Sequence, residues 1–236
     1  MRIGIFALLS TLAVAGCDDD GLPELGNTVL VVIGDANQTP ADQALNSRLV
    51  GLEHDTRVID EPSLTTEELT DDVGFVVISS SVRSSAPFDS ISDTPRPVVI
   101  AQVWVADDFG VTASDAKIRE LNVATAGPDD DLGSWNVVDA DHPAAGETSA
   151  GPLAMWTVEQ TTVTPMVDVV GSPAKVVAEF APDLATLLVY DRGDELASGE
   201  AAAQKRVLVA FAPDSPVRLT DQGWTLFDSA IRWAFD

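Results

Sequence analysis

Three short apolar runs constrain this chain more than anything else in it: Thr28 to Gly34 (TVLVVIG), Gly74 to Ser81 (GFVVISSS) and Pro97 to Gln102 (PVVIAQ). Each is rich in β-branched residues and too short to span a bilayer as a helix, which takes about 20 residues. Each runs without polar alternation into small or polar residues. An unbroken apolar run bounded in this way reads as a strand buried on both faces, the situation of a strand inside a parallel sheet. Ligands of an open parallel sheet bind where its strands end. The residues that follow these runs are therefore the first candidates for a ligand site: Asp35 and Asn37, then Ser79, Ser80 and Ser81, then Gln102 with Trp104.

Between the runs the pattern turns helical. Thr39 is placed to cap a helix with Pro40 at its first position and Leu45, Leu49 and Leu52 along one stripe. Thr56 to Ile59 reads as a second strand, and Thr65 stands three residues before Glu68, the spacing of a capping box for a second short helix. The alternation predicts an α/β, flavodoxin-like parallel sheet with helices on both faces. Further on, Ser114 predicts a cap for a helix across Lys117 to Leu121, and Trp135 to Val138 reads as a strand. Successive β-type runs follow at Leu153 to Val158, Met166 to Val170, Lys175 to Ala181, Thr186 to Tyr190 and Arg206 to Phe211, a β-rich C-terminal extension of the sheet. A last helix, capped by Thr220, carries Trp224, Phe227, Ile231 and Trp233 on a broad apolar face. Trp104 and Trp156 fall near strand ends, where they would line a groove.

The N-terminus carries a different signal. Met1-Arg2 is a short basic segment, Ile3 to Val14 is apolar, and Val14-Ala15-Gly16 brings small residues up to Cys17. That is the layout of a secretory signal rather than a spanning helix. Its ending resembles the lipobox of bacterial lipoproteins. The resemblance implies a signal peptide over residues 1–16, cleavage before Cys17, and acylation of Cys17 with diacylglycerol and palmitate-type chains that hold the protein on a cell membrane. Residues 17–26, with Asp18-Asp19-Asp20-Gly21, then form an acidic tether, and residues 27–236 form one domain facing the periplasm or exterior.

Charge and cysteine content remove several classes of function. The formal charge is −25 with 13 basic residues, so the clustered cations that neutralise nucleic-acid phosphates are absent. Cys17 is the only cysteine, which leaves no disulfide, no cysteine-based metal site and no thiol nucleophile in the folded part. Asp18 to Gly21 lacks the alternating ligands and closing glutamate of a calcium loop, and the acidic segment Ala126 to Gly133 reads as solvated surface. With two histidines, His54 and His142, and no helical pair of them, neither a metal site nor a cofactor is expected. His54 reads as a surface residue.

The domain as a whole resembles the class I glutamine amidotransferase-like fold, in particular a secreted bacterial branch related to trehalose-utilisation-type proteins. The resemblance rests on VLVVIGDANQTPADQALNSRLVGLEHDTRVID, DDVGFVVISSSVRSS and PRPVVIAQVWVADDFGVT. Asp141 to Gly146 (DHPAAG) and the segment LTDQGWTLFD before AIRWA add to it. In the catalytic members of that family the strand matching Pro97 to Gln102 delivers a cysteine, activated by a distant His and Glu. Gln102 stands at that position here, and an amide has no ionisable group for a base to activate. The resemblance thus implies a degenerate mouth formed by Asp35, Asn37, Ser79 to Ser81, Gln102 and Trp104, joined by His142, that binds a small polar or carbohydrate ligand without catalysis. The alternative is a hydrolase or isomerase acting on a carbohydrate-like ligand through carboxylates and His142. A triad of Ser79, Ser80 or Ser81 with His142 and an aspartate can also be written, but no Gly-x-Ser-x-Gly elbow presents such a serine.

Lipidation at Cys17 has a direct test. Wild-type protein partitions into detergent, and Cys17→Ser moves it to the aqueous or unprocessed fraction; mature protein with a free Cys17 thiol refutes the anchor.

Overall fold

Val29 to Val32 are fully buried, as a strand inside a parallel sheet must be, and form the middle of β1 (Thr28–Ile33). β1 pairs in parallel with β2 (Asp55–Asp60) on one side and with β3 (Val73–Ile78) on the other, and β3 continues to β4 (Val98–Ile100). The computed structural model describes residues 25–83, 88–121, 133–157 and 164–236. The signal segment, Cys17, nearly all of the acidic tether and most of the Ala126 to Gly133 loop lie outside the described residues.

After β4 come β5 (Ile118–Leu121), β6 (Ser134–Val137), β7 (Gly151–Ala154), β8 (Thr164–Asp168), β9 (Lys175–Ala181) and β10 (Leu184–Tyr190). Then β11 (Arg206–Val209) returns to lie parallel beside β4. The strand order is β2-β1-β3-β4-β11-β10-β9-β6-β7, with β8 paired to β10 and β5. The first five strands in that order are a flavodoxin-like parallel half, and the remainder is an antiparallel half built from the successive C-terminal runs.

Side chains alternate between two cores. Val29, Val31 and Ile33 face Leu45 and Leu49 of α1 (Pro40–Gly51) and Leu226, Phe227 and Ile231 of α2 (Asp221–Phe235). Leu30 and Val32 face Phe88, Ile91, Val103, Phe109 and Val111. Among the described residues both α-helices lie on the first face. The second face is covered by 3-10 turns, including Val103–Val105, and by irregular chain. The two helices are tied together where Arg48 Nε donates to Asp228 at 2.8 Å and its guanidinium sits 5.5 Å above the Trp224 ring.

Four local expectations give way to the fold. The segment before β3 is a pair of 3-10 turns, Glu61–Ser63 and Thr66–Glu68, and the Thr65 side chain caps nothing. Lys117 to Leu121 is not a helix: Ile118 pairs with Val167 of β8 and packs against the second core, and the ladder outweighs the local helical signal. Trp156 is also not a groove residue, since it is buried edge-on against Trp135 and against Phe211. His54 is half-buried between Phe75 and Phe235 rather than at the surface.

The helical register of α1 is testable by contrast. Leu49 is fully buried and its neighbour Val50 is 54 % exposed. Leu49→Ala is expected to cost about 2–5 kcal/mol in denaturant unfolding, whereas Val50→Ala stays within about 0.5 kcal/mol.

Candidate functional site at the strand ends

The carboxyl ends of β1, β3 and β4 lie side by side, so Gly34, Ser79 to Ser81 and Gln102 share one edge of the sheet. What they meet there is a carboxylate that the strand runs do not announce. Asp42, in the first turn of α1, is buried and accepts four hydrogen bonds: Ser79 Oγ at 2.5 Å and Ser81 Oγ at 2.7 Å on one oxygen, Thr39 N at 2.8 Å and Thr39 Oγ1 at 2.7 Å on the other. Its own amide donates to Thr39 Oγ1 at 3.1 Å, completing a reciprocal cap. The negative charge also sits at the positive end of the helix.

This cluster closes the crevice between β1 and β3, the point where strand order reverses. Gly34 N donates to Ser81 Oγ at 3.1 Å, and a Cβ on Gly34 would stand 2.1 Å from the Ser81 carbonyl oxygen. Backbone thus meets backbone where a ligand would enter. Ser80 is fully buried and donates to the Pro213 carbonyl at 3.4 Å.

Gln102 is equally occupied. Its amide nitrogen donates to the carbonyls of Ser80 at 3.1 Å and Val82 at 2.8 Å, while its oxygen accepts from Trp104 N at 3.4 Å. The side chain is 6 % exposed and stitches the β3 loop to the β4 loop. Trp104 is different, with 40 % of its surface exposed at the rim. Asp35 and Asn37 form an exposed turn in which the Asn37 amide and side chain both donate to Asp35, at 2.9 and 3.0 Å. Those bonds hold the Asp35 carboxyl below its usual range, with a smaller contribution from Arg83. Arg83 is held in turn by Glu61 at 2.7 Å.

His142 does not join this mouth. Its ring lies 5.1 Å from that of Trp233, near the C-terminus of α2. The Trp233 carbonyl accepts from Lys205 Nζ at 2.7 Å, and the Lys205 carbonyl accepts from the amide of Val98, the first residue of β4. His142 therefore stands at the amino edge of the strands, opposite the serines. Its Nδ1 accepts the amide of Ala144 at 3.1 Å and caps a 3-10 turn, Pro143–Ala145. Burial lowers its pKa in spite of Asp139 and Asp191. A triad joining a mouth serine to His142 has no geometric basis, because its members occupy opposite ends of the sheet.

Asp42 was legible in outline. Thr39-Pro40-Ala41-Asp42 has the same cap-to-third-residue spacing as Thr65 to Glu68, with Asp for Glu. What the spacing does not convey is that the second oxygen reaches serines 37 and 39 positions away.

No family model and no curated protein matches this chain. Solved structures do. A candidate GMP synthase component from Thermoplasma acidophilum superposes with a TM-score of 0.54 at 14 % identity, covering 87 % of this chain and 92 % of that one. A ThuA-like protein from Bacteroides uniformis superposes with a TM-score of 0.53 at 8 % identity, covering 92 % of this chain and 94 % of that one. At these identities the similarity establishes the fold alone, a class I glutamine amidotransferase-like α/β architecture.

The Asp42 cluster makes a sharp prediction. Asp42→Asn keeps the size but replaces one acceptor oxygen by a donor, leaving hydroxyl or amide donors unpaired. Unfolding experiments should show a loss of about 1–3 kcal/mol, and Ser79→Ala combined with Ser81→Ala in the Asp42→Asn background should cost less than the sum of the separate changes.

Proposed function

We propose that this chain is a cell-envelope lipoprotein whose amidotransferase-like domain is a binding or interaction module without catalysis. The observation that carries the reading is the state of the strand-end edge. By the sequence resemblance Gln102 stands where catalytic members of this fold deliver the nucleophile, and its amide is committed to two backbone carbonyls. The neighbouring hydroxyls of Ser79 and Ser81 donate to a buried carboxylate that also caps a helix. A nucleophile needs a free path to the substrate; Ser79 is fully buried, and the one carboxylate that could act as its base is itself buried and committed to four donors.

The lipid anchor at Cys17 rests on the lipobox-like N-terminus and places the domain at a membrane surface through the acidic tether. The part of the mouth open to a ligand is the rim, where Trp104 offers a flat apolar face and Asp35 and Asn37 offer polar atoms. A stacking face beside neutral and acidic hydrogen-bonding groups favours a neutral polyol or sugar over an anion.

Chromogenic esters, amides and glycosides are the test, assayed on wild type and on the Ser79→Ala, Ser80→Ala, Ser81→Ala and His142→Ala variants. No turnover above background is expected from any of them. Turnover by the wild type that disappears in one serine variant, with the fold intact by circular dichroism, overturns the non-catalytic reading.

A further inference from the structure

The chain has two histidines, and the fold brings both to the last turn of α2. His54, at the amino end of β2, stands edge-on between Phe75 of β3 and Phe235 of α2, its ring centroid 5.2 Å from each of theirs. His142 stands edge-on to Trp233, in the same turn of the helix as Phe235. Both rings therefore pack on one helix end, at the amino edge of the sheet.

Both placements favour a neutral imidazole. His142 Nδ1 accepts the amide of Ala144, which it can do only while it carries no proton, and Ala144 is itself fully buried. Protonation turns that acceptor into a donor and leaves the Ala144 amide unpaired. The turn it caps is pressed onto α2, where a Cβ on Gly146 would stand 2.1 Å from Ser229 Oγ. His54 Nδ1 is buried and has no hydrogen-bond partner among the described residues, and the phenyl rings beside it offer none. A charged His54 would hold an N–H there without an acceptor.

The neighbouring charges do not reverse this preference. His142 is faced by Asp139 from its own loop, Asp191 after β10, Lys175 on β9 and Lys205 before β11; burial, aided by the two lysines, outweighs the carboxylates and lowers its pKa. Burial alone lowers that of His54, although Glu53 and Asp55 adjoin it in the chain. On α2 itself the last turn carries Arg232, with Asp236 just beyond. We propose that His54 and His142 form a proton-sensitive clasp: neutral, they hold the last turn of α2 against the sheet, and protonated together they release it. The released turn lies where the chain enters β1, since a Cβ on Gly74 would stand 2.0 Å from the Gly26 carbonyl oxygen and 2.9 Å from Phe235 Cε2. Acidification thus acts at the root of the domain, away from the strand-end mouth.

Both pKa values are lowered in the folded chain, so the clasp's contribution is complete above the ordinary histidine value of about 6.5 and is lost as the pH falls through the folded-state values. Hydrogen exchange of the full chain, read by mass spectrometry at about pH 7.5 and about pH 5.5 with labelling times scaled for the intrinsic pH dependence, is the test. At the lower pH each histidine can reduce protection of the segment it holds by up to about tenfold. Residues 229–236 and 142–146 are expected to lose roughly threefold or more while β1 and β3 keep their protection. His54→Phe combined with His142→Asn, in which Asn caps the turn without titrating, should abolish the loss. Should the double variant fail to fold, His142→Asn alone must abolish it for residues 142–146. Unchanged protection of residues 229–236 in the wild type, a loss shared equally by β1 and β3, or a loss that persists in these variants each overturns the proposal.

Discussion

The structure depends on one buried carboxylate. Asp42 holds the first turn of α1, the end of β3 and, through Ser81, the end of β1 in a single hydrogen-bonded knot. An ionised carboxylate away from water is tolerated only when its lone pairs are filled, and four donors with a helix terminus fill them. The same knot turns the hydroxyls at the strand ends toward one another and toward Asp42, so that the order of the polar atoms there is set by the needs of a buried carboxylate.

The parallel half of the sheet then decides which residues can meet. Everything that follows β1, β3 and β4 directly arrives at the carboxyl edge, whereas the end of α2 and whatever packs on it arrive at the amino edge. His142 belongs to the second group because its short 3-10 turn docks on α2 beside Trp233. A serine-histidine pairing proposed from residue types alone fails on this directional argument, independent of any distance cut-off. Arg206, the first residue of β11, belongs to the amino edge as well, yet it is separated from His142 by the sheet, since Leu208 faces the core opposite α2 and the alternation places Arg206 with it.

How much of this was legible in the sequence follows the strength of each local signal. The unbroken runs at Val29 to Ile33 and Gly74 to Ile78 specified buried strands, because each buries four β-branched or aromatic residues in so short a span without polar relief. Thr39-Pro40 and Thr220 specified helix starts because a cap is a local event. The failures share a different cause. Ile118 to Leu121 becomes a strand only because β8 lies beside it, and β8 is more than forty residues further on. Thr65 lacks a helix to cap because the chain there is needed to cover the second core with Leu64 and Leu69. The strand-end residues Gly34, Ser79 to Ser81 and Gln102 share an edge as the runs imply, whereas His142 does not join them, and what the serines bond to was hidden, since hydrogen-bond partners separated by 37 or 39 residues leave no periodicity to read.

The distribution of cations extends the same logic to the surface. Of the few basic residues, several are drawn inward or tied down: Arg48 to Asp228, Arg57 to the Glu68 carbonyl, Lys205 to the Trp233 carbonyl, and Arg206 to the loop before β4. Others are neutralised in place, as Lys175 is between Asp191 and Asp194. The positive charge of the chain is thus largely consumed in holding loops and helices to the sheet. The field that reaches solvent is therefore that of the carboxylates left without a cation, in keeping with the net charge of −25. At physiological ionic strength that field is screened within about 8 Å, so it repels anions at contact distance without steering from afar. A free anion therefore finds no favourable approach to either edge of the sheet.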